Sequence, residues 1–499
     1  MLAQNLERLI YILNVSTYIR RAGEVREILM SSRMLDPAAK SDPDKLVGRD
    51  RELRSLLDFI YRREERIAIV KGTRRMGKTS LVLTALKIAS SGDRELKKKF
   101  EVPLKPCIPV YVDVYGVKSL DRLVVPVLKG HKRAWKLLHL TKHTSEYKTY
   151  VENLETEASK HLGVEAGLAY IAKAGVSWRE VRSARFFAPT DLRGALETVS
   201  DAAEDCLVVV VFDEVQKVVD MGSRELKEFQ EVLKYVSDNL PNIKLVLTGS
   251  IIRLTEEVVS RRYEEPLYGR PIYEINLGPL DRQSASEILG RGFKEENVAY
   301  DELVVDAGAV WTMGIPGWIV SFGRGYVDAV RSGADSDKAV RQAFASSLRE
   351  MASFASSELE NSLRRTRRRD AYLRVAQEVF RAGAIRWGAL KRLTGLGDTA
   401  LKRVLDRLIL YGIVEKTEDG YYRVGDALMR AIGWRATLEL STCPVCGKGR
   451  AYIARPLPPF PVEVVYRPCN HVARFGALIV DDAMRLRVGV AGDELTRQS

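Results

Sequence analysis

The chain contains 499 residues, of which 46% are hydrophobic and 29% are charged, and its formal net charge is +13 at pH 7. These fractions are typical of an ordinary globular protein, and the length predicts about three or four domains. The longest apolar runs are only as long as strands, which argues against a membrane-spanning helix, and the first residues lack the three-part pattern of a secretory signal. We therefore expect a cytoplasmic chain in a reducing compartment, with Cys107 and Cys206 as buried thiols.

Residues 1–42 are predicted to form an N-terminal helical arm. Apolar residues recur there at helical spacing, which gives the arm one apolar stripe. Two explanations stay open, namely packing of this stripe against the rest of the chain or against a partner. The stripe consists of Leu6, Leu9, Ile10, Ile12 and Leu13.

The first motif is a phosphate-binding loop, GTRRMGKT, at residues 72–79. A branched apolar run at 67–70 predicts a buried strand before it, and the apolar run after it predicts a helix. In that setting the glycines let backbone amides surround a phosphate, while the helix start adds its positive dipole end. Lys78 would reach the β- and γ-phosphates, and the Thr79 hydroxyl would hold Mg²⁺. The predicted nucleotide-binding residues are Gly72, Thr73, Arg74, Arg75, Met76, Gly77, Lys78, Thr79 and Ser80.

A basic helical insertion is predicted at about residues 120–189. Its length exceeds that of an ordinary connection between two elements of secondary structure. It either carries oligomer or substrate contacts or is an elaboration without a separate role.

The second motif is an acidic pair, Asp213 and Glu214, directly after the apolar run at 206–212. A run that is apolar on both faces is typical of a central parallel strand, and ligands collect at the carboxyl ends of such strands. Asp213 is predicted to bind Mg²⁺ through water, and Glu214 to orient and deprotonate the attacking water.

A third predicted strand, residues 243–247, ends in Thr248, Gly249 and Ser250. In P-loop ATPases a polar residue at this position senses the γ-phosphate. Either Ser250 or Thr248 is the candidate here, and an ordinary turn at the end of a strand explains the same residues.

Five ordered segments make the chain resemble the archaeal ATPases of the AAA+ and STAND-like group, which are relatives of the Orc/Cdc6 initiators. The resemblance implies ATP binding and hydrolysis by a P-loop core at 43–280 with a helical lid at 281–360. It also implies Arg270 as a phosphate-sensing or trans-acting arginine and Pro316 as a lid residue near the base. The segments are residues 46–53, 72–81, 212–216, 266–270 and 314–316.

Residues 361–435 are predicted to form a winged helix-turn-helix. The pattern gives helices at 371–382, 385–393 and 399–411, followed by a hairpin with an Asp-Gly turn. Such a third helix enters the major groove of DNA in many DNA-binding proteins. The competing interpretation is a latch that docks on the ATPase core, as in STAND proteins. The predicted DNA contacts are Arg386, Lys391, Arg392, Thr399, Lys402, Arg403 and Arg407.

An arginine-rich run at 364–369 precedes the first of these helices. Clustered positive charge favours a polyanion partner, and a solvated helix end explains the same run without any ligand.

The tail, residues 436–499, holds three of the five cysteines. Cys443 and Cys446 form a Cys-x-x-Cys knuckle, and Cys469 with His471 completes four ligands for tetrahedral Zn²⁺ in a small zinc-ribbon-like module. A redox pair or an unrelated pair of thiols is the alternative.

The predicted fold is α/β, with a P-loop NTPase (AAA+-like) core around a parallel sheet, a helical lid, a winged helix-turn-helix and a small β zinc-ribbon-like tail. The predicted function is Mg²⁺-dependent ATP hydrolysis coupled to DNA binding, with no membrane partner. The alternative function is a slow ATP/ADP switch in signalling or defence, with the winged helix as an autoinhibitory latch and a protein partner. Whether the chain forms a homo-oligomer is left open.

Overall fold

The computed structural model describes twelve stretches of the chain and divides it into two compact units. The first unit contains Ala39–Leu277, and the second contains Ser31–Ala38 with Gly278–Ser499. None of the helices that the structure describes has both the length and the apolar content that a membrane crossing requires. The described residues are 33–104, 107–138, 191–203, 206–249, 258–259, 263–363, 369–410, 413–424, 436–455, 462–475, 478–480 and 486–488.

Several predicted features lie outside the described residues. They are residues 1–32 of the arm, residues 139–190 of the insertion, Ser250, and residues 364–368 of the arginine-rich run.

The first unit is built around a five-stranded parallel sheet, which confirms the predicted α/β core. Its strand order is β2-β3-β4-β1-β5. Every residue of β3 and β4 is buried, as expected for apolar strands in the centre of a parallel sheet, whereas β2 alternates between buried and partly exposed residues. The strands are β1 (Ile67–Gly72), β2 (Ile108–Asp113), β3 (Val208–Asp213), β4 (Ile243–Gly249) and β5 (Ile272–Leu277).

Helices of the first unit cover this sheet and share its apolar core. Because all five strands are parallel, their carboxyl ends lie along one edge, where the phosphate-binding loop and the acidic pair both follow a strand. The helices are α1 (Asp50–Tyr61), α2 (Lys78–Ser90), α3 (Arg94–Lys99), α4 (Val124–Leu138), α5 (Leu192–Ala203), α6 (Lys217–Met221) and α7 (Ser223–Asn239), with short 3-10 helices at Pro43–Lys45 and Leu120–Leu123.

The second unit begins with four helices that receive a short segment from upstream in the chain. Leu35 of this segment is 4% exposed and packs where two glycines, Gly292 and Gly323, leave space, since a Cβ on either would clash with its side chain. The Met34 amide donates to Glu295 Oε2 at 2.6 Å. The helices are α8 (Arg282–Glu295), α9 (Glu302–Trp311), α10 (Pro316–Arg331) and α11 (Ser336–Leu363).

Three shorter helices and a hairpin follow, in the order predicted for residues 361–435. The second helix starts at Trp387 rather than at residue 385, because Ala384–Arg386 is a strand that pairs with the hairpin. Two late strands extend this sheet to the order β14-β13-β6-β8-β7. The elements are α12 (Arg369–Ala382), β6 (Ala384–Arg386), α13 (Trp387–Thr394), α14 (Asp398–Leu410), β7 (Val414–Lys416), β8 (Tyr421–Val424), β13 (Leu478–Val480) and β14 (Leu486–Val488).

The tail adds two antiparallel strand pairs, which lie against helices of the same unit. The buried Trp311 of α9 donates from Nε1 to the Tyr452 carbonyl at 2.9 Å, and Arg467 donates to Asp306 Oδ2 at 2.8 Å. The strands are β9 (Thr437–Thr442), β10 (Arg450–Arg455), β11 (Val462–Tyr466) and β12 (His471–Phe475), paired as β9 with β10 and β11 with β12.

Candidate functional site

The phosphate-binding loop connects β1 to α2, which begins at Lys78. Its turn uses positive φ angles at Arg75 (65°) and Gly77 (85°), and the latter favours glycine. Gly72 is required for a different reason, because a Cβ there would lie 2.8 Å from the Leu277 carbonyl oxygen. The loop leads directly into the amino end of α2, where backbone amides bind anions.

Lys78 is 5% exposed and is held inside this loop. Its Nζ donates to the carbonyl oxygens of Gly72 and Thr73, both at 3.0 Å. The hydroxyl of Thr73 is buried and has no hydrogen-bond partner among the described residues. A buried hydroxyl without a partner, carried by the phosphate-binding loop itself, suits a phosphate oxygen, so the loop fits the nucleotide that its motif predicts.

Two residues outside the phosphate-binding loop support it from the segment upstream of α1. Arg49, 5% exposed, donates from one guanidinium nitrogen to the Met76 carbonyl at 3.3 Å and from another to Glu52 at 3.2 Å. The Lys40 amide donates to Ser80 Oγ at 2.9 Å. The Ser80 side chain thus anchors the upstream segment to α2.

The carboxylate of Asp213, at the end of β3, is the centre of the acidic site. Its Oδ2 accepts hydrogen bonds from Thr79 at 2.8 Å and from the Tyr111 phenol at 2.5 Å. Its Oδ1 accepts from the Thr248 hydroxyl and, at 3.0 Å, from the Glu214 amide. Burial, and then the negative charge of Asp213, raises the pKa of Tyr111, which keeps the phenol a donor.

Glu214 follows with a positive φ of 57°, which is uncommon for a residue other than glycine. Its Oε2 accepts from Gln216 Nε2 at 2.6 Å and lies 4.0 Å from an Arg74 guanidinium nitrogen. Gln216 is 4% exposed, and its Oε1 has no hydrogen-bond partner within the part of the chain that the structure describes. The candidate base is therefore oriented by one amide and one cation.

A third carboxylate, Asp113, ends β2 and pairs in register with Asp213. Desolvation, together with the charges of Asp213 and Glu214, raises the pKa of Asp113 to about 6, although a hydrogen bond from the Tyr115 amide acts in the opposite direction. Like charges at this strand end account for part of that increase.

The oxygen atoms of Thr79 and Asp213 suit the magnesium ion that the motifs imply. Mg²⁺ takes hard oxygen ligands and keeps several waters, and the Thr79 hydroxyl lies 2.8 Å from an Asp213 carboxylate oxygen. When bound, the ion would neutralise charge on the phosphates of the nucleotide.

The remaining predicted site residues lie elsewhere or outside the described part. Arg270 precedes β5 at the amino end of the sheet, and its guanidinium forms two bonds with Asp238, at 2.7 and 2.8 Å. Since parallel strands separate their two ends by about 3.3 Å per residue, this position is remote from the phosphate-binding loop of the same chain. A phosphate-sensing role within the chain therefore lacks support, while a trans-acting role stays a prediction. Pro316 is the first residue of α10 in the second unit, and Ser250 is not described.

The sequence motifs did not predict that Tyr111 contacts the acidic site, and they gave Arg49 no individual role. Tyr111 lies on a strand without a motif, and only its place two residues before the strand end hints at the active edge. The Gly-Arg pair upstream of α1 was visible as part of the family motif, but its contact with Met76 depends on tertiary packing.

The predicted DNA-contact residues lie on and around α13 and α14. The apolar side of α14 is buried, whereas Lys402, Arg403 and Arg407 are exposed. Asp398 is the first residue of α14, and its carboxylate accepts from Lys391 Nζ at 2.7 Å. Arg386, Arg392 and Thr399 are also exposed.

The four predicted zinc ligands come together in the tail. One ligand atom from each lies within 4.8 Å of the others. Hydrogen bonds from the Lys448 and Gly449 amides lower the pKa of Cys446 to about 6, which favours the thiolate that metals bind. A Cβ on Gly449 would clash with Cys469 Sγ. The four residues are Cys443, Cys446, Cys469 and His471.

Solved structures with a similar fold include the two described next, whereas no curated protein matches the chain. The Walker-type ATPase paby2304 of Pyrococcus abyssi aligns over 80% of this chain and 98% of its own, with 23% identity and a TM-score of 0.56. The ORC2 protein of Aeropyrum pernix, solved as ADPNP-ADP complexes, aligns over 80% of this chain and 96% of its own, with 15% identity and a TM-score of 0.54. At these identities the likeness shows the fold alone.

The family described as an ATPase domain predominantly from Archaea matches residues 46–322, which is more than half of the chain. This range contains the phosphate-binding loop, the acidic pair and the five-stranded sheet, and it confirms the resemblance predicted from the motifs. The chain belongs to this family of archaeal ATPase domains, and its activity is the hydrolysis of ATP.

Proposed function

We propose that this ATPase couples its nucleotide state to DNA binding through a winged helix formed by residues 369–424. The observation that carries the proposal is the two-sided character of α14. Its apolar residues are buried, and its other side exposes Lys402, Arg403 and Arg407 on the third helix of the segment. In DNA-binding winged helices the third helix lies in the major groove and presents such side chains to bases and phosphates.

Neighbouring positive charge supports the same surface. Arg386, at the end of β6, and Arg392, on α13, are exposed and belong to the same segment as α14. Lys391 is engaged with Asp398, so we assign it to holding α13 against α14 rather than to direct phosphate contact. The net charge of +13 favours a polyanion partner.

In the proposed hydrolysis, water attacks the γ-phosphate in line with the leaving oxygen. Glu214 accepts the proton of that water, and Gln216 keeps the carboxylate oriented. Lys78 would supply positive charge at the phosphates, the Thr79 hydroxyl and, through water, Asp213 would hold the metal, and Thr248 contacts the Asp213 carboxylate from β4. Arg270 would act on the nucleotide of a neighbouring copy of the chain in a homo-oligomer.

We also propose that Cys443, Cys446, Cys469 and His471 hold a structural zinc ion in tetrahedral geometry. Three thiolates and one imidazole are a common set of ligands for closed zinc sites. The strand pairs around the cluster are short, so a metal would supply stability that their small core lacks. Thiolate ligands suit the reducing cytoplasm, where we place the protein.

The DNA proposal is tested by titrating duplex and single-stranded DNA into the protein at several salt concentrations, with ATPase turnover measured in parallel. The affinity for duplex should fall linearly with salt on logarithmic axes, because phosphate contacts release counterions. Lys402→Ala and Arg403→Ala should each reduce this slope by about one. Arg381→Ala, at an exposed position of α12 beside Glu378, is the matched control and should leave the slope unchanged.

DNA should also change the rate of ATP hydrolysis if the two sites are coupled. Absence of DNA binding at low salt would overturn the DNA proposal and favour the nucleotide switch with a protein partner. The ATPase assignment would be unaffected by that result.

A further inference from the structure

Tyr111 contacts the Asp213 carboxylate, the proposed magnesium site, although it belongs to no nucleotide-binding motif. It lies on β2, the strand next to β3, and its side chain shares a face with Asp113 because the two are i and i+2 in the strand, with one residue between them. Its phenol donates to Asp213 Oδ2 at 2.5 Å. This contact joins two strands at the edge where the phosphate-binding loop lies.

The Asp213 carboxylate is held from three neighbouring elements. Tyr111 on β2 and Thr248 on β4 donate to different oxygens, one from each side of β3. Thr79, at the start of α2, donates to the same oxygen as Tyr111, at 2.8 Å. The Thr79 hydroxyl is the group expected to turn to the metal, which leaves the bonds from Tyr111, Thr248 and the Glu214 amide to fix the orientation of the carboxylate.

Among the described residues, the acceptor of the Tyr111 hydroxyl is the Asp213 carboxylate. The nearest other carboxylate on the same strand, Asp113, uses Oδ1 to accept from the Tyr115 amide at 2.8 Å. A phenylalanine ring would fill the same space on β2 without introducing a polar group that needs a partner.

We infer that Tyr111 is a positioning residue that orients the Asp213 carboxylate for magnesium. Groups that hydrogen-bond to a metal ligand fix its direction, and their removal commonly weakens metal binding by about tenfold or more. The inference rests on the proposed role of Asp213 in magnesium binding, and it does not depend on DNA binding or on zinc.

Tyr111→Phe tests this inference because it removes only the hydroxyl. The measurement is binding of a fluorescent ADP analogue at increasing Mg²⁺, which requires no turnover. The Mg²⁺ midpoint should increase by about tenfold, while the affinity for the analogue without metal should change little. Turnover at subsaturating Mg²⁺ should decrease and recover in part at high Mg²⁺.

Tyr273→Phe is the matched control, since the Tyr273 hydroxyl contacts Ser55 at 2.8 Å from β5 in the same sheet. It should leave the Mg²⁺ midpoint unchanged. Thermal unfolding without added Mg²⁺ or chelator reports folding of both variants, and Tyr111→Met serves as a second variant without the hydroxyl if Tyr111→Phe folds poorly. An unchanged Mg²⁺ midpoint in a folded Tyr111 variant would overturn the inference and leave the phenol a structural role.

Discussion

At the scale of single residues, the different roles proposed for Asp213 and Glu214 follow from their hydrogen-bond partners. Both oxygens of Asp213 accept hydroxyl groups, which suits a fixed metal ligand. Glu214 accepts one amide from Gln216 and lies near one cation. Its side chain therefore has fewer fixed partners, which suits a base that must approach water.

Glu214→Gln should retain ATP binding and decrease turnover by about 10²- to 10⁴-fold, because the amide cannot accept the proton. Turnover and nucleotide affinity would be measured on the same preparation. Glu231→Gln, at an exposed position of α7, provides the control and should behave as the unmodified protein. Unchanged turnover of Glu214→Gln would refute the assignment of the base.

At the scale of elements, the tail is fastened to α9 and α11 by polar bonds at defined points. Trp311 donates to a carbonyl of β10, and Arg341 donates to the Leu438 carbonyl of β9 at 2.8 Å. Tyr452 also donates from its hydroxyl to Asp337 Oδ1 at 3.1 Å. The first two bonds give a hydrogen-bond donor to a backbone carbonyl of a strand, and the third gives an acceptor to the Tyr452 hydroxyl.

Trp311→Phe should reduce the free energy that holds the tail against α9 by about 1–3 kcal/mol, because it leaves the buried Tyr452 carbonyl without this donor. Limited proteolysis within residues 436–475 would measure the effect as faster cleavage. Trp387→Phe removes a comparable but exposed bond to Asp398 and should change stability by less than about 0.5 kcal/mol. Equal cleavage rates for the two variants would contradict the anchoring role of Trp311.

At the scale of the whole molecule, the second unit draws on distant parts of the chain. It includes Ser31–Ala38, upstream of the phosphate-binding loop, and the tail beyond residue 436. Leu35 and the cysteine cluster are therefore parts of one compact unit, although more than 400 residues separate Leu35 from Cys443. The division of the chain into five domains remains a prediction.

Protein purified without chelator should contain about one equivalent of zinc per chain by elemental analysis. A zinc-selective chelator should destabilise the second unit, because the free energy of metal binding contributes to its folding. Stabilisation of the protein by magnesium and ADP should persist, since the phosphate-binding loop and the acidic pair lie in the first unit. Less than about half an equivalent of zinc would contradict the proposed ligand set.

Local chemistry in the sequence determined the phosphate-binding loop, the acidic pair and the cysteine–histidine set, because each needs particular residues at fixed spacing. Tertiary structure alone decided that Tyr111 reaches Asp213 and that Arg270 lies at the opposite end of the sheet. It also decided that β13 and β14 join the sheet of β6. Periodicity predicts which side of an element is buried. Partners distant in the chain are chosen by strand order and side-chain packing, for which one sequence carries no local signal.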